Sequence, residues 1–430
     1  MDTPTKKIVI AGAGFGGLKT ALLLHANLKR LGLLEAYEVV LIDRNPYHTY
    51  TPLLYEAATT SKEFVDLVGL ESVVTFPLSM ILQEKKITFL ERSISRIDLE
   101  KGVISFVNHG DLLFDYAVLA LGSETNYFHI PGMAEHALTL KSFRDAVEIR
   151  DALWNKMEQH VRGLCVVIGG GGSTGVELAG EVRLWLEELE REFKTSGSSV
   201  TIIEGMSTVL AGFAPKIVAK VMNRLRKIGV TLMTQEFIQT VDAAVASLKS
   251  GKTVPFDVLI WTGGVKPSSL TDQLPLRRDK RGHIDPSEYL DCLPGTDTTH
   301  LHGKVYALGD ATSFYVQGAE RPIPMTAQTA IGQAKVVAHN LIEDIKVAEG
   351  KTAKGSHIPY AAKDYPYVIP VGGKYAVAKI GPVVLSGIFG WIVKCFVELY
   401  YLLGDVLPNG HAMRIWLKGL SIFLRNDRLG

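Results

Sequence analysis

The sequence has few cysteines, no excess of charge of one sign and no long uninterrupted apolar run. The three cysteines among 430 residues, Cys165, Cys292 and Cys395, are too far apart to form a CxxC pair. This spacing argues against a disulfide scaffold, a cysteine-rich zinc site and a dithiol redox centre, and favours a reducing compartment. Lys and Arg (46) almost balance Asp and Glu (45), so we expect no nucleic-acid partner. The first residues carry only a short apolar run, which predicts no signal peptide.

Glycine, in contrast, is abundant (41 residues) and clusters where apolar runs end. Residues 7–11 (KIVIA) lead into GAGFGG, an apolar-periodic stretch and a second strand-like run that ends at Asp43. The same pattern returns from residue 164, where LCVVI leads into GGGGSTG and later into SVTIIE, which ends at Glu204. Three further apolar runs, YAVLALG, DVLIWTGG and VYALGD, also stop at glycine. These repeats predict an α/β fold with two Rossmann-like dinucleotide-binding units built on parallel strands.

The first motif places Gly12, Gly14 and Gly17 at the GxGxxG positions. They would allow a tight turn, a close approach of the backbone to a pyrophosphate, and close packing of helix on strand. Asp43 would accept hydrogen bonds from ribose hydroxyls. The alternative to dinucleotide binding is that this motif is only a structural glycine turn. Arg44 follows the acid and is a candidate for a phosphate contact, with a solvated surface arginine as the more ordinary interpretation.

The second motif has Gly170, Gly172 and Gly175, with Glu204 as its acid. No Lys or Arg follows Glu204 before Lys216. A 2′-phosphate would therefore be repelled by the acid without a basic partner, which predicts NADH in preference to NADPH. Two dinucleotide-binding units in one chain favour FAD plus a nicotinamide. Asp310, in ALGDA, could hold a ribityl hydroxyl of the flavin or simply cap the following turn.

The chain resembles the type II NADH dehydrogenases, which are single-subunit NADH:quinone oxidoreductases. The resemblance rests on GAGFGG, DRNPYHTYTPLLYEAA, ALGSETNYFHIPG, GGGGSTGVELAGE, LGDAT with MTAQTAIGQ, and an aromatic C-terminal tail. It implies hydride transfer from NADH to FAD and then electron transfer to a membrane quinone, without proton pumping. The implied FAD contacts are Gly12, Gly14, Gly17, Asp43, Arg44, His48, Gly122, Asp310, Ala327 and Gln328. The implied NADH contacts are Gly170, Gly172, Gly175, Glu177, Glu204 and Gly264.

Three of these positions carry open alternatives. His48 would lie near the isoalloxazine with the PLLYEAA segment, or would be a surface histidine. Glu177 matches a family carboxylate between nicotinamide and flavin, or is an ordinary acid of the first helical turn. Gln328 and Gln333 are, with Glu177, the candidate catalytic residues, because they match the quinone-side signature of the family. Gly332 stands where that signature commonly has glutamine. The helix that begins near Thr326 could direct its N-terminus at the flavin.

The predicted domains are an FAD-binding domain (1–127 and 270–350), an NADH-binding domain (128–269) and a membrane-associating tail (351–430). Residues 383–403 are long enough to span a bilayer, yet contain Lys394 and Glu398, so a helix lying in the interface is favoured. Trp391, Tyr400, Tyr401 and Trp416 are expected at headgroup level. The final helix is predicted to be amphipathic, with the apolar stripe Met413, Trp416, Leu417, Leu420, Phe423 and Leu424 opposite the polar stripe Arg414, Lys418, Ser421 and Arg425.

We therefore expect a peripheral membrane protein on the cytoplasmic face of the inner membrane. Its expected partners are NADH, a membrane quinone and the membrane surface, with a homodimer as a further possibility. The tail could alternatively form a dimer interface or cover the core. A related reductase with another acceptor, or a flavin-bound redox sensor, remains the alternative function.

Overall fold

The protein is described by a computed structural model over residues 5–159, 162–295, 301, 303–426 and 428. The chain divides into two compact units. The first unit comprises Met1–His48, Phe76–Glu124 and Val265–Asp364. The second comprises Thr49–Thr75, Thr125–Gly264 and Tyr365–Gly430.

In chain order, the strands are β1 (Lys6–Ala11), β2 (Tyr37–Asp43), β3 (Tyr47–Thr49), β4 (Thr75–Pro77), β5 (Ile87–Glu91), β6 (Ile94–Asp98), β7 (Val103–Phe106), β8 (His109–Leu113), β9 (Tyr116–Leu119), β10 (Ser123–Thr125), β11 (Ala137–Thr139), β12 (Cys165–Gly169), β13 (Ser199–Glu204), β14 (Val230–Thr234), β15 (Ile238–Val241), β16 (Val245–Leu248), β17 (Thr253–Pro255), β18 (Val258–Trp261), β19 (Val265–Pro267), β20 (Val305–Ala307), β21 (Tyr367–Pro370), β22 (Ala376–Ile380) and β23 (Val383–Gly387).

The α-helices are α1 (Phe15–Leu31), α2 (Leu54–Ala57), α3 (Leu67–Val74), α4 (Leu78–Ile81), α5 (Met133–His136), α6 (Phe143–Gln159), α7 (Ser173–Phe193), α8 (Pro215–Lys227), α9 (Ala327–Ala348), α10 (Ile388–Tyr401) and α11 (Asn409–Asn426). A π-helical turn, Leu402–Val406, follows α10.

The first unit is built on a five-stranded parallel sheet in the order β20-β9-β1-β2-β5. Ile10 of β1 lies opposite Leu41 of β2 and Val118 of β9. These strands are apolar along their length because helices cover the faces of a parallel sheet. Helix α1 packs against α9, and a small antiparallel sheet, β6-β7-β8, completes the unit.

The second unit repeats this arrangement in the sheet β11-β18-β12-β13-β14, also parallel. Ile168 of β12 lies opposite Ile202 of β13 and Ile260 of β18. Helix α7 buries Trp185 completely. In both sheets the strand before the glycine motif has the strand after the helix on one side and a later strand on the other. The prediction of two Rossmann-like units in an α/β fold is confirmed.

The C-terminal elements belong to the second unit. Residues 383–403 are a strand, β23, followed by helix α10, because Gly387 adopts a left-handed φ of 74° and ends the strand. Strands β21, β22 and β23 form an antiparallel sheet against which α10 packs. Among the described residues, no helix combines the length and the apolar character that a membrane span requires.

The chain end folds back onto α7. The side chain of Arg428 donates to Glu188 at 2.7 Å and to the carbonyl oxygen of Thr59 at 3.4 Å. The carbonyl oxygen of Arg428 accepts from the backbone N–H of Lys374 at 3.0 Å. Residue 428 is therefore bonded to three separate segments of the second unit.

Candidate functional site

The first glycine motif forms a tight loop that only glycine allows. Gly12 has a φ of +111°, and a Cβ atom there would lie 2.2 Å from the carbonyl oxygen of Ala120. A Cβ atom on Gly17 would lie 1.9 Å from the carbonyl oxygen of Gly12. A Cβ atom on Gly14, in contrast, would meet no atom within 4 Å. Gly12 and Gly17 are therefore required by the protein itself, whereas Gly14 leaves open space above the loop.

Helix α1 begins at this open position without a capping side chain. Gly14 is its N-cap residue and has no side chain to cap the helix, and the first turn contains no acid. The N–H groups at the start of a helix and the positive end of the helix dipole are the features that bind phosphate. The loop and helix of the first unit together form what we call the first cradle.

Asp43 is fixed at the edge of the first cradle. One carboxylate oxygen accepts from the backbone N–H of Ala13 at 2.8 Å, and the other accepts from Asn45 at 2.9 Å. Each oxygen retains a lone pair that can accept from a hydroxyl group. Arg44 is exposed.

His48 is a buried residue with 1% of its surface exposed. Its Nδ1 lies 2.9 Å from the carbonyl oxygen of Ala13, inside the glycine motif, and its ring meets the edge of Phe15. Burial lowers the pKa of His48 below its ordinary value, which favours a neutral ring. His48 is therefore not a surface histidine.

Asp310 lies in the turn after β20. One of its carboxylate oxygens accepts from the hydroxyl group of Ser123 at 2.9 Å, next to Gly122, whose φ is +67°. The backbone N–H of Gly309 donates to the buried amide oxygen of Gln333 at 2.7 Å. Gln333 thus binds helix α9 to the turn that carries Asp310.

A small, partly open pocket lies beside this turn. It is lined by Asp310, Thr326, Gln333 and seven other residues of the first unit. The hydroxyl oxygen of Thr326 accepts from the backbone N–H of Thr329 at 3.2 Å and caps helix α9. Ala327 and Gln328 follow the cap and are partly exposed. The pocket therefore opens at the N-terminal end of α9.

The glycine loop of the second unit and the start of helix α7 form the second cradle, which has the same geometry as the first. Gly170 has a φ of +105°, and a Cβ atom on Gly175 would lie 2.0 Å from the carbonyl oxygen of Gly170. A Cβ atom on Gly172 would meet nothing within 4 Å, and Gly172 begins α7 without a capping side chain. Glu204 accepts from the backbone N–H of Gly171 at 2.6 Å and of Met206 at 2.7 Å.

Glu177 lies in the second turn of α7, two residues after Gly175. Its side chain is only partly exposed, and withdrawal of the carboxyl group from water raises its pKa from 4.5 to about 8. Within the described part of the chain, its carboxyl group makes no hydrogen bond or ion pair. At neutral pH Glu177 is therefore mostly protonated, and its position in the second turn differs from that of an ordinary first-turn acid.

Gly264 lies beyond the end of β18, the neighbour of β12. Its φ is +158°, and its carbonyl oxygen accepts from the backbone N–H of Asn126 at 3.0 Å. A Cβ atom here would lie 3.0 Å from the ring of Phe128. Gly264 thus belongs to the same carboxyl edge of the sheet as the second cradle.

The sequence did not predict a buried ion pair between Lys394 and Glu56. The ammonium group of Lys394 bonds Glu56, which also accepts from the hydroxyl group of Tyr55 at 2.9 Å. Glu398 lies 3.5 Å from the same ammonium group. The pair fastens α10 to the PLLYEAA segment on α2. The presence of Lys394 and Glu398 inside an apolar stretch is a sequence signal for a buried charge. The sequence does not show, however, that Glu56 is the partner of Lys394.

The structure corrects the prediction for the aromatic residues of the tail. Trp391 is buried, the indole N–H of Trp416 donates to the carbonyl oxygen of Cys395 at 2.9 Å, and Tyr401 stacks on Tyr50. Of the four aromatic residues expected at headgroup level, only Tyr400 is strongly exposed, at 80%. The other three make contacts within the second unit, and Trp391 does so because α10 covers the sheet β21-β22-β23.

The apolar residues predicted to form one stripe on α11 lie on two different faces of the helix. Phe423 is buried and Trp416 and Leu420 pack with Trp391, so these residues face the protein. Met413, Leu417 and Leu424 are exposed, as are Arg414, Lys418, Ser421 and Arg425. On α10 and its π-helical turn, the exposed apolar residues are Ile388, Phe389, Ile392, Phe396, Tyr400 and Leu403. We call these nine apolar residues the outer stripe.

Comparisons with known proteins agree with this geometry. A family model described as pyridine nucleotide-disulphide oxidoreductase matches residues 6–334. A type II NADH:quinone oxidoreductase of Staphylococcus aureus (strain NCTC 8325 / PS 47) is 28% identical over 422 residues, covering 90% of this chain and 98% of the relative. Its counterpart in Staphylococcus haemolyticus is 28% identical over 359 residues, covering 79% and 83%.

Two solved structures have similar folds. NDH2 from Plasmodium falciparum in complex with NADH has a TM-score of 0.80 at 19% identity, covering 98% of this chain and 99% of that chain. The sulfide:quinone oxidoreductase from Aquifex aeolicus has a TM-score of 0.75 at 17% identity, with 98% and 96% covered. The resemblance inferred from the motifs is confirmed. With the family model matched over most of the chain, this protein belongs to the pyridine nucleotide-disulphide oxidoreductase family.

Proposed function

We propose that this protein is a FAD-dependent NADH:quinone oxidoreductase that works at a membrane surface without pumping protons. The observation that carries the proposal is the duplicated cradle, in which Gly14 and Gly172 each lie open at an uncapped helix N-terminus. One cradle for each dinucleotide is what transfer between a nicotinamide and a flavin requires. The relatives named type II NADH:quinone oxidoreductase support the same function.

The first cradle fits FAD. Bound FAD supplies the isoalloxazine ring, which accepts a hydride from NADH and passes two electrons to the quinone. The N-terminus of α1 and the bare backbone at Gly14 would bind the pyrophosphate. Asp43 would accept from ribose hydroxyls with the lone pairs that its backbone contacts leave free. Asp310, oriented by Ser123, would accept from a ribityl hydroxyl, and the left-handed turn at Gly122 lies beside it.

His48 has a positioning role in this proposal. Its neutral ring contacts the carbonyl oxygen of Ala13, while the N–H of Ala13 donates to Asp43. The two peptide groups on either side of the Ala13 Cα atom are therefore each held by one contact. A fixed loop loses less conformational entropy when a ligand binds.

The second cradle would bind NADH with the pyrophosphate at Gly172 and a ribose at Glu204. Glu177 is protonated at neutral pH, so it adds no negative charge beside the dinucleotide. A carboxyl group with a pKa of about 8 can both hold and release a proton near the pH at which the enzyme works. We therefore assign Glu177 as the residue that holds a proton beside the nicotinamide, with Gly264 on the same edge.

The quinone would bind near the N-terminal end of α9. Gln328 is partly exposed there, and its amide group can donate to a quinone carbonyl oxygen. The amide oxygen of Gln333 is already bonded to Gly309, so Gln333 would act by keeping the turn of Asp310 in place. Gly332 adds no side chain to this end of the helix, which makes Gln328 the main candidate for the contact.

The outer stripe would lie on the bilayer surface. Its apolar side chains would enter the boundary between headgroups and acyl chains, while Arg414, Lys418 and Arg425 would face anionic lipids. Each basic residue near such a surface contributes about 1 kcal/mol. The protein would then be attached to the cytoplasmic face of the inner membrane. The alternative is that the outer stripe forms a dimer interface with a second copy of the chain.

The central experiment follows the absorbance of the purified protein. We expect one FAD per chain after acid release, bleaching of the flavin by NADH, and return of the colour when a soluble quinone is added. Protein that binds no added FAD would contradict the proposal at its first step. Bleaching by NADH without recovery in quinone would instead favour another acceptor or a redox sensor.

The membrane assignment has a separate test. Phe396→Ser with Leu417→Ser should strongly reduce sedimentation with anionic liposomes, while leaving bleaching by NADH intact. Leu113→Ser, which changes an exposed apolar residue of β8 in the first unit, is the matched control. Unchanged liposome binding would contradict the assignment. If the double variant changed a dimer into a monomer in sedimentation velocity and left liposome binding intact, the stripe would be a dimer interface.

A further inference from the structure

The glycine loop of the second cradle is less constrained by its own sequence than the loop of the first. The first loop has Ala13 between its first two motif glycines, whereas the second has Gly171 at the corresponding position. Glycine gives the backbone more accessible conformations than alanine does. The peptide group that joins Gly170 to Gly171 lies between two glycines, so its orientation depends on support from its surroundings.

The acid of the second cradle explains why position 171 is a glycine. A Cβ atom on Gly171 would lie 3.1 Å from Oε2 of Glu204 and 2.8 Å from Cγ1 of Val209, which is completely buried. This close approach lets Oε2 of Glu204 accept from the N–H of Gly171 at 2.6 Å. The contact that orients the acid therefore requires a bare backbone, which leaves the loop without a side chain to stiffen it.

Thr262 supplies a support for this loop from the neighbouring strand. It follows β18, and its Oγ1 lies 3.1 Å from the carbonyl oxygens of both Gly169 and Gly170. The oxygen of Gly169 already accepts from the backbone N–H of Thr262 at 2.8 Å, so the hydroxyl proton is available for Gly170. A Cβ atom on Gly175 would lie 2.7 Å from Oγ1, which places the hydroxyl group against the start of α7 as well.

The carbonyl group of Gly170 and the N–H of Gly171 belong to one peptide group. Its oxygen accepts from Thr262, and its N–H donates to Glu204. Rotation of this peptide group would break both bonds at once. Thr262 and Glu204 are thus connected through a single peptide group, although β18 and β13 flank β12 on opposite sides.

The first cradle has a methyl group where the second has this hydroxyl group. The backbone N–H of Ala120 donates to Ala11, at the end of β1, at 3.0 Å, as the N–H of Thr262 donates to Gly169 at the end of β12. Ala120 therefore has the position that corresponds to Thr262. Its side chain cannot donate a hydrogen bond. The hydroxyl group is present in the cradle whose loop has the additional glycine.

We propose that Thr262 is a positioning residue that holds Glu204, through the peptide group between Gly170 and Gly171, in the orientation that binds a ribose. The inference rests on the proposed binding of NADH to the second cradle. A carboxylate that is already oriented loses less freedom when a ligand binds. Thr262 therefore contributes to the affinity for NADH and to its preference over NADPH, and it does so by acting through Glu204.

Two substitutions test whether the hydroxyl group is responsible. Thr262→Val keeps the shape of the side chain without the hydroxyl group, and Thr262→Ser retains the hydroxyl group. One hydrogen bond corresponds to about twofold to tenfold in a binding constant, and we expect Thr262→Val to weaken ADP-ribose binding by this factor in calorimetry. Its preference for NADH over NADPH should narrow, while the limiting rate of flavin bleaching at saturating NADH should not change.

The conservative variant and a matched control complete this set. Thr262→Ser should recover both the affinity for ADP-ribose and the preference for NADH. Thr231→Val changes an exposed threonine of β14 in the same sheet and should behave as the wild type in every measurement. The difference between these variants and Thr262→Val then measures the hydroxyl group at residue 262.

A double substitution tests whether Thr262 acts through the acid. In a Glu204→Ala background there is no carboxylate to orient, so adding Thr262→Val should leave the remaining affinity for ADP-ribose unchanged. Two substitutions that act through one contact are not additive, whereas independent ones add. A loss as large as in the protein with Glu204 would show that Thr262 acts independently and would overturn the proposal.

Three other results would also overturn it. The first is unchanged affinity for ADP-ribose in Thr262→Val, and the second is a loss that Thr262→Ser does not recover. The third is a limiting rate of flavin bleaching that falls as much as the affinity, since this would indicate general damage to the second unit. Failure of the proposed function has a different signature, because the wild-type protein would then neither bind ADP-ribose nor bleach with NADH.

Discussion

The two cradles are nearly identical in their backbone contacts and different in the side chains around them. Gly12 donates to Ile42 at 2.8 Å, and Gly170 donates to Ile203 at the same distance. The two sheets also share a contact at the start of a strand. The carboxylate of Asp115, just before β9, and that of Asp257, just before β18, each accept from a backbone N–H of the neighbouring strand at 2.7 Å. The backbone therefore explains why both units suit a dinucleotide, but it does not explain which one.

The two cradles differ in sequence at two places. One is two residues after the last glycine of each motif, and the other is directly after Asp43 and Glu204. Helix α1 has Lys19 where α7 has Glu177. After Asp43 the chain leads to the buried His48, which returns to the glycine loop, whereas Gly205 after Glu204 admits the exposed Phe237. The first cradle thus has a buried side chain packed against its glycine loop, which agrees with the proposed binding of FAD there. In the second cradle an exposed aromatic ring lies against the residue after the acid instead.

Matched alanine substitutions should break one cradle at a time. Gly17→Ala and Gly175→Ala each place a Cβ atom within about 2 Å of a backbone carbonyl oxygen, at 1.9 and 2.0 Å. We expect Gly17→Ala to lose bound flavin, and Gly175→Ala to retain flavin but lose bleaching by NADH. Flavin content and reduction rate measure the two effects. If Gly175→Ala released the flavin and Gly17→Ala did not, the assignment of the cradles would be reversed.

The ion pair between Lys394 and Glu56 in the second unit offers the next largest effect. Lys394→Met leaves the carboxylate of Glu56 buried without its ammonium partner, which costs about 3–5 kcal/mol of the free energy of unfolding. The double variant Lys394→Met with Glu56→Gln removes both charges and should recover most of that loss. Urea unfolding of the three proteins measures the difference. Equal stability of the single variant and the wild type would show that the pair does not hold α10 in place.

The acid of the second cradle should control nucleotide choice. Glu204→Gln loses a charged acceptor for the ribose, so NADH affinity should fall about tenfold, since such bonds contribute about 1.5–3 kcal/mol. The preference over NADPH should narrow as the repulsion of a 2′-phosphate disappears. Equal wild-type kinetics with both nucleotides would refute the role of Glu204.

The last expected effect concerns pH. Because the folded pKa of Glu177, about 8, lies above its ordinary value of 4.5, the folded state binds the proton more tightly than the unfolded state. Its contribution to stability is complete below pH 4.5 and is lost as the pH rises to about 8. Flavin reduction should likewise slow as the carboxyl group ionises near pH 8.

Glu177→Gln resembles the protonated form at every pH. It should flatten both the rate profile and this part of the stability profile between pH 5 and 9. The control is Glu187→Gln, an acid on the same helix paired with Arg183. A wild-type rate that is already constant across this range would contradict the proton-holding role.

Features encoded in short stretches of sequence were predictable. Each cradle depends on glycine spacing within one strand–turn–helix segment, so its loop, its helix start and its acid follow from local sequence. Contacts between distant segments were not predictable in the same way. The ion pair between Glu56 and Lys394, which joins residues 338 positions apart, is an example.

The tail shows the same limit. Helical spacing identified α11 as amphipathic, but spacing alone does not distinguish a face that packs on the protein from one that faces outward. Phe423 and Leu424 are neighbours in sequence, yet Phe423 is buried and Leu424 is exposed. The functions of the individual site residues, and the domain assigned to each dinucleotide, remain predictions.

The bonds of Arg428 have a practical consequence for anyone who prepares this protein. The third residue from the end of the chain is joined to Glu188 on α7, the helix that begins at Gly172. Removal of Arg428 is therefore expected to disturb a helix of the second cradle as well as the proposed membrane contact. A tag at the N-terminus, and substitutions on the outer stripe in place of deletions, would allow attachment and NADH binding to be measured independently.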